Sequence, residues 1–257
     1  MVYLILFTFG AVIGSFLNVC IYRIPRSISL IRPASFCPNC ATHIPFYHNI
    51  PLLSYILLKA RCHSCNQPIT FRYFFIELLS ALLTVISYYK FGFSSSFFFY
   101  IGFIYFLIVI SFLDLSTKLI YNRILVYLLI FGVLFNLLFH VRSWSEVSLG
   151  FLVGGLSLLF FALLGRFLFK KESMGMGDVK FAAVIGFFLG WKMALLALLV
   201  GFIYAILAVI LLSLTGKYKL QSYLPMAPFL TGGSLTFVYW GPALIQWYWN
   251  FFFPVIR

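Results

Sequence analysis

FFFYIGFIYFLIVISFLD, residues 97–114, is the stretch whose reading decides the fold. It carries one charge in 18 residues, and that charge is its last residue, Asp114. A run of about 20 apolar residues matches the hydrocarbon thickness of a bilayer. It is apolar all round, with no polar stripe to face water, as a lipid-embedded or deeply buried helix requires. The rest of the chain has the same character. Of its 257 residues 63% are hydrophobic and 9% charged, where soluble domains carry about 25% charged residues. So little polar surface calls for lipid as the solvent.

Working outward, comparable runs occupy 2–22, 73–90, 119–139, 147–169, 178–190, 193–214 and 224–252. With 97–114 they predict an all-α polytopic membrane protein of about eight transmembrane helices, the sixth of them short. The run at 2–22 has no cation before it, and Arg23 and Arg26 follow it, so it reads as a retained first span rather than a cleaved signal. Net charge is +13. Fourteen cations, among them Arg23, Arg72, Lys118, Arg123, Lys171, Lys217 and Lys219, fall in the loops of one side. Four (Lys90, Arg142, Lys192 and Arg257) fall on the other. The richer side is expected to be cytoplasmic, with both termini outside. The basicity therefore sets orientation, and no nucleic-acid partner is expected, since no soluble basic stripe interleaves with aromatics.

Three regions follow: a first transmembrane helix at 1–22, a cytoplasmic loop domain at 23–72, and a transmembrane core at 73–257. The loop holds six of the ten prolines, which excludes a continuous helix there. It also contains Cys37-Pro-Asn-Cys40 and Cys62-His-Ser-Cys65, with 21 residues between the pairs. Two such pairs offer four thiolates to a tetrahedral ion, and a closed four-sulfur shell leaves no open position, so a structural Zn²⁺ is expected. His43, His48 and His63 are alternative ligands that the four sulfurs make unnecessary.

Acids are scarce: Glu77, Asp114, Glu146, Glu172 and Asp178 are all there are. Ionisable groups at membrane depth are costly and are placed there for function. Glu146 and Glu172 lie in loops, beside Arg142 and Lys171. Asp114 closes the third span, and Asp178 opens the sixth in Gly175-Met-Gly-Asp-Val-Lys180, so both are expected at one membrane face. Two carboxyls meeting in a dry site share one proton. The ionised one can then activate water while the protonated one polarises a carbonyl. Asp178 is also a residue type that caps helices. A rival reading makes the two aspartates ion ligands of a transporter or channel.

Several motifs, in order, resemble the type IV prepilin peptidases, membrane aspartyl proteases with a GxGD signature. They are Gly14-Ser-Phe-Leu-Asn-Val-Cys-Ile-Tyr-Arg-Ile-Pro25, the two CxxC pairs and the His43–Tyr55 segment between them. Arg72-Tyr73 with Glu77-Leu-Leu-Ser-Ala81, then Gly175–Lys180, and finally Pro225-Met-Ala-Pro-Phe229 complete the set. The resemblance implies Asp114 and Asp178 as the catalytic pair, with Gly175, Gly177 and Lys180 supporting the catalytic loop. It implies removal of a basic leader from prepilins and pseudopilins at the cytoplasmic face of a bacterial inner membrane. It further implies N-methylation of the new terminus from S-adenosylmethionine, with Glu77 and Arg61 as candidates for methyl transfer or substrate positioning. The chain departs from the pattern at Tyr121, where proline is usual, at Ser116, where a second acid is frequent, and at Ala60-Arg61 in place of Gly-Lys.

Overall fold

The computed structural model describes residues 1–170, 174–215 and 224–252. Lys171, Glu172, Lys217, Lys219 and Arg257, used above, lie outside the described residues. The chain falls into two compact units, Met1–Leu113 and Asp114–Arg257.

The first unit begins with α1 (Val2–Arg23), which a left-handed residue, Ser27, and a short 3₁₀ turn carry into the loop. The loop contains one short helix, α2 (Leu53–Leu57), and leads into α3 (Phe71–Phe91) and α4 (Ser95–Thr117). α1 lies along α3, where Asn18 of α1 donates from Nδ2 to the Tyr73 carbonyl at 3.0 Å. A side-chain amide bridging two helices is a favourable use of polarity away from water.

The loop is built on a duplicated turn. Cys37 N–H donates to Thr42 O at 3.0 Å, Ala41 N–H to Cys37 O at 2.9 Å, and Ile44 N–H to Ser35 O at 2.8 Å. Twenty-five residues on, Cys62 donates to Gln67 O at 2.9 Å, Asn66 to Cys62 O at 3.0 Å, and Ile69 to Ala60 O at 2.7 Å. The residue after each second cysteine is left-handed, Ala41 at φ 57° and Asn66 at φ 55°. Antiparallel bridges close both turns, Phe36 with His43 and Arg61 with Pro68.

The second unit contains α5 (Asn122–Phe139), α6 (Trp144–Phe169), α7 (Met176–Leu189), α8 (Trp191–Leu214) and α9 (Ala227–Phe252). Ser143 caps α6 by accepting the Glu146 N–H at 3.3 Å, as the Ser-x-x-Glu pattern specifies. α6 packs tightly on α7, and α5, α8 and α9 also pack against α7. The α6–α7 approach rests on Gly150 and Gly186, since a Cβ on either would collide with the other's backbone carbonyl.

Among the described residues, six helices are long and apolar enough to cross a membrane: α1, α3, α4, α5, α6 and α8. This corrects the expected eight. At 14 residues, α7 reaches only about 21 Å against a core of about 30 Å. α9 is long enough, but its apolar residues are interrupted by Thr231, Ser234, Thr236, Gln246 and Asn250 and include five Trp and Tyr rings. Rings of that kind suit interfaces better than the bilayer centre.

Candidate active site and metal centre

In the second unit three helix ends converge. Asp114 sits in the last turn of α4, Asp178 in the first turn of α7, and Ala227 opens α9. Both aspartates are buried, Asp114 with 2% and Asp178 with 4% of its surface exposed. Asp114 accepts the Ala227 N–H on Oδ2 at 2.9 Å. The first amides of a helix have no partner within it, and Pro228 in the second position keeps that helix start fixed. The carboxyls are within electrostatic reach of one another, for the Asp114 charge acts directly on Asp178. The N-termini of α7 and α9 add a positive end of the backbone dipole at the same place.

The surrounding residues explain how Asp178 is held. Its N–H donates to Gly175 O at 3.1 Å. Gly175 has φ −73°, an ordinary value, so it acts as a cap and not as a special bend. Gly177 matters through its lack of a side chain: a Cβ there would lie 3.0 Å from Ile120 Cβ. Lys180 reaches from α7 to the start of α5, donating to Asn122 Oδ1 at 3.2 Å. Tyr121, the residue standing where proline was expected, has φ −76° and ψ 114° at the cap of α5. That is close to the angle proline would enforce, so the turn is kept without it.

The Ala227 amide is the contact of Asp114 that sequence reasoning missed. Pro225-Met-Ala-Pro-Phe229 was visible as a motif, and a proline one residue into a helix signals N–H groups available to a ligand or side chain.

In the first unit the sulfurs of Cys37, Cys40, Cys62 and Cys65 all lie within 4.8 Å of one another. Cys37 and Cys65 sulfurs are 3.9 Å apart, far beyond the roughly 2 Å of a disulfide. Tetrahedral thiolates at about 2.3 Å from Zn²⁺ would be about 3.8 Å from one another, so the spacing suits a metal ion. The Thr42 hydroxyl, followed by its N–H, pulls the Cys40 thiol down to about 6. The Cys65 and Ser64 amides lower Cys62. Cys65 has the Gln67 N–H lowering it, yet burial and the adjacent thiols push it up to about 11. Crowded thiols of this kind lose their last proton readily only to a cation. The histidines stay outside this cluster, His48 and His63 lying side by side with ring centroids 4.7 Å apart and planes tilted by 38°.

Glu77 and Arg61 are placed apart in role. Glu77 is buried in α3, and its Oε2 accepts the Leu52 N–H at 2.8 Å. Leu52 has φ 64° and ψ −50°, and Leu53 N–H closes the turn onto Pro51 O at 2.7 Å. That is the strained, positive-φ γ-turn, which L-residues rarely adopt. Glu77 therefore takes a backbone amide of the loop. Arg23 donates to Ser29 O at 2.8 Å and Ala34 O at 3.2 Å. Arg61 is on the second cysteine turn, within its bridge to Pro68.

Comparison with known proteins agrees with this arrangement. Residues 8–91 match the bacterial peptidase A24 N-terminal domain, and residues 101–214 match the type IV leader peptidase family. A prepilin leader peptidase/N-methyltransferase of Legionella pneumophila is 32% identical over 96% of this chain and 94% of its own. The Bacillus subtilis (strain 168) protein of the same description is 36% identical over 95% of this chain and 96% of its own. That of Aeromonas hydrophila is 31% identical over 95% and 92%. No solved structure matches the chain. With such relatives aligned along nearly its whole length, this multi-pass membrane chain belongs to the type IV leader peptidase family.

Proposed function

We propose that the chain is a membrane aspartyl endopeptidase that removes the leader of type IV prepilins and pseudopilins, with Asp114 and Asp178 as its catalytic pair. The observation carrying this is two buried carboxyls within electrostatic reach of each other at three helix ends, in a chain with five acids. Sharing one proton, the pair works in complementary states. The ionised carboxyl takes a proton from water as the water oxygen bonds to the scissile carbonyl carbon. The protonated carboxyl donates to the carbonyl oxygen. Collapse of the tetrahedral intermediate breaks the C–N bond, and the amine leaves with the proton taken from water. The Ala227 N–H holds Asp114 at the start of α9, and the Lys180–Asn122 tie holds the start of α7 to that of α5.

The charge asymmetry supports a cytoplasmic setting for the site and the cysteine loop, in a bacterial inner membrane. A prepilin with its helix in the bilayer and a basic leader outside would present its scissile bond there. Cys37, Cys40, Cys62 and Cys65 would hold a structural Zn²⁺, which contributes folding free energy and no reacting atom. N-methylation of the new terminus, with S-adenosylmethionine supplying the methyl group, is the second proposed activity. Glu77 is engaged with Leu52 in the interior, which suits holding the loop rather than meeting that cofactor. The transporter reading draws no support from the family match.

The test is conversion of a prepilin by the full chain in membranes. Asp114→Asn and Asp178→Asn should each abolish leader removal while membrane insertion is retained, and normal processing by either would overturn the dyad. Mass measurement of the mature N-terminus in the presence of S-adenosylmethionine separates leader loss alone from leader loss plus one methyl group.

A further inference from the structure

We propose that the cysteine loop docks face-down on the bilayer that anchors it, through the exposed face of α2, with Lys59 and Arg61 at the level of anionic lipid phosphates. Three independent features carry this. Leu53, Ile56 and Leu57 are spaced i, i+3, i+4 and therefore share one side of α2, and all three are exposed, Leu57 by 78%. Ser54 faces the other way, buried, with its hydroxyl donating to Tyr47 O at 3.3 Å. Leu53, Ile56 and Leu57 thus form one exposed apolar patch. Such a patch on a small domain marks a binding surface.

The second feature is charge. Between residues 23 and 72 there are six cations and no acid. They outnumber the two net negative charges of four thiolates around a divalent ion, so the loop stays basic with its metal bound. Apolar side chains flanked by Lys and Arg are the chemistry of an interfacial segment on anionic lipid. The same charge selects against another occupant, the basic leader of a prepilin, which this surface repels. The third feature is tethering. The loop leaves α1 at Arg23 and enters α3 at Phe71, both ends of membrane-crossing helices. A bilayer is therefore always within reach at high effective concentration. The inference requires the membrane setting alone and is independent of the peptidase reading.

The experiment places a fluorescent amino acid at position 57 of the full chain, reconstituted in phosphatidylglycerol/phosphatidylcholine vesicles. Bromine-labelled lipids should quench the probe strongly and aqueous iodide weakly. The pair Lys59→Glu with Arg61→Glu should cut lipid quenching several-fold in these vesicles and leave it unchanged in pure phosphatidylcholine, each lost cation weakening docking by about fivefold. Metal content, equal across variants, separates undocking from unfolding. If the charge-reversed pair loses metal, Lys59→Gln with Arg61→Gln replaces it with the same readouts. Free access of iodide without lipid quenching would overturn the proposal. So would protection that requires added prepilin, or protection that rises with the number of copies per vesicle.

Discussion

Asp114 and Asp178 can be replaced by asparagine with almost no change of shape, which makes them clean probes. The substitution removes the shared proton and leaves the Ala227 N–H an acceptor on residue 114. Cleavage should fall by about 10²–10⁴-fold in each variant, measured as the rate of leader loss, with little change in thermal stability in detergent. Leu52 is a different kind of residue-scale test. Its positive φ costs on the order of 1–3 kcal/mol, and glycine would remove that strain at an entropic cost of about 0.5–1 kcal/mol. Leu52→Gly should therefore tighten the loop against protease, whereas Leu52→Val, stiff at its β-carbon, should loosen it. The two aspartates were legible in the sequence because acids are so rare in it. The Leu52–Glu77 contact was not, since nothing in local spacing shows a buried carboxylate reaching a backbone amide 25 residues away.

At the scale of elements, the paired cysteine turns form one unit whose four sulfurs are grouped to hold a metal ion. Cys37→Ser with Cys62→Ser should release the ion and expose the loop to protease, with structural zinc falling from one per chain to near none by elemental analysis. An undiminished zinc content would remove the four-sulfur site. The spacing of the cysteines predicted the ligands, but not the 25-residue duplication of hydrogen bonds around them, because the two turns share little sequence beyond Cys-x-x-Cys. The helices themselves were readable from apolar runs, and their bounds moved by only a few residues. Whether a helix crosses the bilayer was less readable. α7 falls short of a span's length and α9 of its apolarity, because Thr, Ser, Gln and Asn interrupt it, and a run of apolar-looking letters conceals both.

For the whole molecule, the eleven-to-two division of the cations that precede α7 is the strongest constraint on orientation. Reporter fusions after Lys118 and after His140 should report opposite sides of the membrane, the first cytoplasmic. The same side for both would remove α5 as a span.

α7 has one further consequence. From Phe181 to Gly190 every residue is buried, with α5, α6, α8 and α9 packed against the helix. A helix sheathed on all sides has no lipid-facing stripe on which mutations can accumulate harmlessly. A saturation scan scored for processing should show the usual 3.6-residue rhythm of tolerance along α5 and α8, and a flat band of intolerance across 181–190. The part of the chain least able to drift is thus the shortest helix described in the second unit.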